Sequence, residues 1–178
     1  MNKYVQLAKR AIENYLEKGE FIEPPQDLPE EMTKERAGVF VTLEKGKELR
    51  GCIGTYLPTQ KNIAKEIIQN AVSAATGDYR FSPVAREELS SLTYTVSVLE
   101  KPEKIKDVSQ LNPKEYGILV KALTFPPKSA LLLPNLQGIK KAQEQFSIVC
   151  QKGGINPEKE SVIIYRFKIK KFISKENG

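Results

Sequence analysis

Between residues 38 and 55 two runs of alternating side chains flank a turn that contains glycine. Val39-Phe40-Val41-Thr42-Leu43 reads as one strand, Glu44-Lys45-Gly46-Lys47 as the turn, and residues 48–55 as the returning arm. Such an antiparallel hairpin commits the chain to a sheet, whose apolar face other segments must cover. In the second arm Leu49, Ile53 and Thr55 alternate with Arg50, Cys52 and Gly54. That period of two predicts Arg50 and Cys52 on one face, roughly 6.5–7 Å apart along the strand. Gly51 and Gly54 flank the cysteine, and glycine inside a strand marks a bulge or close approach by another backbone or a ligand. A guanidinium beside a thiol favours the thiolate, the form that acts as nucleophile or metal ligand.

The covering elements are legible as apolar periodicity. Tyr4, Ala8, Ala11, Ile12 and Tyr15 predict a helix over 3–18 that stops at Gly19. A second helix is predicted from Pro58 and Thr59 to about Thr76, with Gly77 in the left-handed position beyond it. A third runs from Gln137 to about Lys152 and stops at Gly153-Gly154. Pro24, Pro25 and Pro29 make the segment after the first helix an extended connector, acidic from Asp27 to Glu31. Thr93–Leu99 reads as a strand, and residues 103–115 as irregular with a short helix near 111–115. Tyr116–Leu123 and Ser129–Leu133 form a second hairpin, and Val162–Ile173 is a last strand. The expected fold is α+β, with antiparallel sheets, helices packed on one face in a two-layer sandwich, and two subdomains sharing a core. All 178 residues are expected to form one domain. Its larger subdomain is built around the 38–55 hairpin and the 58–76 helix, and the smaller spans about 106–160. Strand 162–173 is expected to return to the main sheet.

Composition restricts the chemistry. The chain has no histidine, which excludes a Ser-His-Asp triad, a Cys-His dyad, and the Cys₂His₂ and His₃ zinc sites. Two cysteines, Cys52 and Cys150, are too few for a disulfide framework or a Cys₄ zinc site; an oxygen-ligated Mg²⁺ site stays open but has no support, and no metal ligand is assigned. There is no G-x-G-x-x-G or Walker A sequence, which argues against a dinucleotide cofactor bound by that route and leaves the cofactor unknown. No apolar run approaches the roughly 18–20 residues that span a bilayer. With an N-terminus lacking a signal-peptide core, a cytoplasmic protein is expected, as a monomer or small homo-oligomer. Lys and Glu dominate the charged residues, a bias of hyperthermophile proteins.

The candidate site gathers from two places. Asp78, one of only three aspartates, and Arg80 lie in a loop just after the second helix, with Pro83 blocking further helix. Where that loop folds over residues 48–55, Arg50, Cys52, Asp78 and Arg80 line one cleft suited to a carboxylate or phosphate ligand. In this reading Arg50 and Arg80 bind the anion and Asp78 orients one of them. Cys52 is the contact or reactive thiol, and Gly51 and Gly54 permit close approach. The alternative leaves Cys52 a core thiol, as Cys150 on its apolar helix face is expected to be. A non-catalytic interaction module is a further alternative. The net charge of +6 admits nucleic-acid binding through the basic 166–171 strand, although edge lysines also serve to block sheet aggregation.

Leu49-Arg50-Gly51-Cys52-Ile53-Gly54 resembles the signature of the AMMECR-type domain family. Gly38–Leu43, Asp78-x-Arg80-Phe81, Glu87-Glu88-Leu89 and Val96–Leu99 are similar to the family's further segments, and the match spans most of residues 36–173. The resemblance implies a two-subdomain α+β protein with no established activity. It also implies association with Memo-type or radical-SAM partner proteins, and so a small-molecule or redox-linked pathway.

Overall fold

The structure, a computed structural model, describes residues 2–174. The chain forms two compact units, Met1–Leu99 with Lys170–Gly178, and Glu100–Ile169. Each carries an apolar cluster of its own. The second unit is wider than the expected 106–160.

The first unit holds α1 (Lys3–Lys18), α2 (Glu30–Lys34), β1 (Val39–Lys45), β2 (Glu48–Thr55), α3 (Ile63–Thr76) and β3 (Leu92–Leu99). Asn2 caps α1 by accepting from Tyr4 N, and the helix buries Tyr4, Val5, Leu7, Ala8, Ala11 and Ile12. Within the connector, residues 30–34 form a turn of helix that buries Met32, which the prolines obscured. α3 begins at Ile63, the first residue of its apolar stripe, and not at the Pro58-Thr59 start that the sequence suggests. The buried Glu66 carboxylate accepts from Thr59 N and Gln60 N, each at 2.7 Å, and so holds 59–60 out of the helix. Asn62 then caps α3 by accepting from Lys65 N at 2.9 Å. Gly77 does close the helix, donating to the Ser73 carbonyl, but at φ −120° rather than in the left-handed region.

Strand order in this unit's sheet is β2-β1-β3-β8, where β8 is Ile169–Ile173. β1 pairs antiparallel with both β2 and β3. Val39, Val41 and Leu43 of β1, with Tyr94, Val96 and Val98 of β3, are buried on the face that α1 and α3 cover. β2 is left as an edge strand. The second unit has the strand order β4-β7-β5-β6, from β4 (Glu103–Ile105), β5 (Gly117–Ala122), β6 (Lys128–Leu132) and β7 (Val162–Phe167). Its helix, α4 (Ala142–Lys152), packs on β5 and β6. α4 also starts late, after a segment turned by Pro134 and by positive φ at Asn135 and Gly138. Residues 103–105 are a strand, not irregular chain. The expected single strand 162–173 breaks at Lys168, whose carbonyl accepts from Glu100 N at 2.9 Å. Only its second half returns to the main sheet.

The two glycines of β2 have an internal cause. A Cβ on Gly51 would stand 2.2 Å from the Ala74 carbonyl oxygen, so the α3 backbone lies directly on the strand there. A Cβ on Gly54 would stand 2.2 Å from the Phe40 ring. Gly51→Ala is therefore expected to cost about 3 kcal/mol in urea denaturation, by forcing α3 off β2. A loss under about 0.5 kcal/mol, the range of an ordinary surface change, would contradict that packing.

Candidate functional site

Cys52 pairs in register with Thr42, and Thr42 with Thr95, giving a row across three strands on the face away from the helices. Thr42 Oγ1 lies 3.2 Å from Cys52 Sγ, the close approach expected where opposed residues do not hydrogen-bond each other. The backbone of Cys52 therefore points outward from the edge of β2. Its N–H donates to Asp78 Oδ2 at 2.9 Å, and its carbonyl accepts from Arg80 Nη2 at 3.4 Å. The two side chains stand in for a neighbouring strand at this residue.

Asp78 and Arg80 also grip each other. Arg80 Nε donates to Oδ1 at 2.9 Å and Nη2 to Oδ2 at 2.7 Å, a bidentate pair. Arg80 N adds a bond to Oδ1 at 3.2 Å. The Asp78 side chain is 2% exposed, whereas that of Arg80 is 43% exposed. Arg80's side-chain hydrogen bonds, working against burial, hold the Asp78 carboxyl well below the usual carboxylate range, and the Cys52 and Arg80 amides add to this. Arg80 Nη1 makes no hydrogen bond among the described residues.

Arg50 is placed differently. The register slips between Leu43 and Glu44, which leaves Arg50 unpaired across the hairpin, so the period of two does not carry through it. Its guanidinium forms a fork on Glu88, with Nε to Oε1 at 3.0 Å and Nη2 to Oε2 at 2.8 Å. Nη1 donates to the Ser82 carbonyl at 2.9 Å, and Nη2 also to that of Pro83 at 3.3 Å. With 14% of its side chain exposed, Arg50 is spent on tying residues 82–88 to β2. The structure thus brings Cys52, Asp78 and Arg80 together. Arg50, Gly51 and Gly54 hold the frame around them.

Three residues, Glu88, Glu66 and Asn70, escaped sequence reasoning. Glu88 was visible only as part of a similar segment. Glu66 accepts from Thr55 Oγ1 at 2.7 Å and Thr59 Oγ1 at 2.8 Å besides the two amides, and Asn70 Nδ2 donates to the Val39 carbonyl at 2.9 Å. Glu66 and Asn70 are buried polar residues four apart within α3, which was the available signal. Cys150 is 4% exposed, and burial pushes its thiol up. Both cysteines are free. Among the described residues no group of three metal-ligating side chains converges. The basic run at 166–171 is divided between β7 and β8, with Arg166 bonded to Glu103 and Lys170 paired with Glu31. No helix of the described residues is long and apolar enough to cross a membrane.

Fold and site define an α+β protein of two units in which an Arg-Gly-Cys edge strand is clamped by a loop following α3. The sequence profile of the AMMECR1 family matches residues 5–172, and the chain belongs to that family. A Thermotoga maritima protein is 46% identical over 170 residues, covering 95% of this chain and 96% of that protein. A Clostridium acetobutylicum protein is 43% identical over 161 residues, which cover 90% of this chain but 34% of that longer relative. The crystal structure of an uncharacterised protein from Pyrococcus horikoshii superposes with a TM-score of 0.88 at 35% identity, covering 97% of this chain and 90% of that one.

The Arg50–Glu88 fork sets a pH dependence. Arg50's hydrogen bonds, with the Ala85 N–H next, lower the Glu88 carboxyl from 4.5 to about 2. A carboxyl depressed in the folded state contributes stability that is complete above pH 4.5 and is lost as pH falls toward 2. The gap in urea midpoint between the natural chain and Glu88→Gln is expected to narrow over that interval. A gap constant with pH would contradict the pairing.

Proposed function

We propose that the protein holds a small anionic ligand at the corner formed by Cys52 and Arg80. The observation that carries this reading is the unspent Arg80 Nη1. Asp78 fixes the guanidinium by its other edge, the group is substantially exposed, and it lies against the Cys52 backbone. A guanidinium held in place loses little entropy when it accepts an anion. Cys52, half-buried beside Thr42, is the contact or reactive thiol. Asp78 orients Arg80, while Arg50, Gly51 and Gly54 act through the frame. Two free cysteines accord with a reducing, cytoplasmic setting.

A second reading, docking on a protein partner, is favoured by Tyr79. Its residue is 95% exposed although both neighbours in sequence are pinned. Aromatic anchors held by a rigid backbone suit protein interfaces. Memo-type or radical-SAM proteins are the partners that family resemblance suggests, with a redox-linked pathway as the setting.

Alkylation separates the ligand reading from a purely structural one. Iodoacetate and iodoacetamide differ in charge, so their rate ratio at Cys52 reads the anion preference of its surroundings. That ratio is expected to fall several-fold in Arg80→Gln and to be partly kept in Arg80→Lys. Cys150 should react with neither until the chain unfolds. An unchanged ratio in Arg80→Gln, or a Cys52 inert before denaturation, would sink the proposal.

A further inference from the structure

The second unit contains a polar cavity of about 210 Å³ beside β7, with Lys101, Glu103, Tyr116, Arg166 and Lys168 in its wall. Arg166 lays its guanidinium over the Tyr116 ring, 4.4 Å from the centroid. Its Nε donates to Glu103 at 3.1 Å and its Nη1 to the Gln110 carbonyl at 2.9 Å. Nη2 makes no hydrogen bond among the described residues. Lys168 Nζ stands 5.3 Å from the same ring centroid. Neither Lys168 nor Lys101 has a carboxylate partner among the described residues.

Tyr116 is itself fixed. Its N–H donates to the Asn112 carbonyl at 2.8 Å, and its own carbonyl accepts from Gln145 Nε2 at 2.9 Å. Arg166 and Lys168 thus stand over one aromatic ring whose backbone is held by hydrogen bonds. Glu103 is neutralised by Arg166, which leaves Glu100 as the opposing charge in the wall. One guanidinium nitrogen and two ammonium groups without anions form the donor set that a phosphate satisfies, because its oxygens accept from several cations at once.

We propose that this cavity binds the phosphate group of a small metabolite. It is smaller than the roughly 300–1,000 Å³ of sites that enclose a drug-sized ligand. It therefore takes the phosphate head and leaves the remainder of the ligand outside. The site is separate from the Cys52 corner and does not rest on it.

Inorganic phosphate, glycerol phosphate and acetate, titrated into the full chain at constant ionic strength, test this by amide shifts in NMR. The two phosphate compounds are expected to give saturable shifts at residues 100–103 and 166–168, and several-fold tighter binding than acetate. The tighter of the two tells a phosphate ester from the free ion, and either order supports the site. Lys168→Gln should weaken phosphate roughly tenfold through loss of a charge-assisted bond. Glu100→Gln should tighten it by removing the opposed charge. Both positions are exposed, so neither change threatens the fold. No saturable shift, acetate binding as tightly as phosphate, or unchanged affinity in Lys168→Gln would overturn the proposal. Shifts confined to the surroundings of Cys52 would overturn it too.

Discussion

One buried carboxylate governs the edge of the first sheet. Asp78 accepts the Cys52 N–H, which an edge strand would otherwise leave to solvent or to another chain. Burying a carboxylate this deeply is costly unless its oxygens are fully hydrogen-bonded and a cation stands beside it. Arg80 meets that condition with two side-chain bonds and one from its amide. A few residues away the Arg50 fork on Glu88 draws the same loop onto the strand. The two ion pairs fasten the segment after α3 at both of its ends, and Arg80 keeps one nitrogen in hand.

The sheet itself was legible, because its alternation is local. Val39, Val41 and Leu43 face the helices as their period of two requires. The errors arose where a distant group decided a local conformation. Pro58 and Thr59 look like a helix start, yet Glu66 reaches back and captures their neighbourhood as a loop. Tyr165, Phe167 and Ile169 alternate with Arg166, Lys168 and Lys170 straight across the break, and nothing in that alternation marks Lys168 as the point where the chain changes sheets. The bulge opposite Leu43 and Glu44 falls on Arg50 beside Gly51, a glycine that signals a bulge or a close approach without locating the extra residue.

The site was legible as a neighbourhood but not as an assignment of roles. Paired glycines around a cysteine do signal close approach, and here α3 and the Phe40 ring do the approaching. Two arginines do converge on the loop, but Glu88 consumes one of them, and its position three residues after Ala85 gave no hint of that. What survives is narrower than four groups in one cleft. It is the Cys52 backbone, a buried carboxylate and one partly exposed guanidinium held in fixed relation.

The clamp on the sheet edge is tested most directly by hydrogen exchange at the Cys52 amide, in the natural chain and in Asp78→Ala. The account expects the amide to be protected like those bonded between β1 and β2, and to lose that protection in the variant while the β1–β2 amides keep theirs. A Cys52 amide that exchanges as fast as an open edge in the natural chain, or stays protected without the carboxylate, would contradict it.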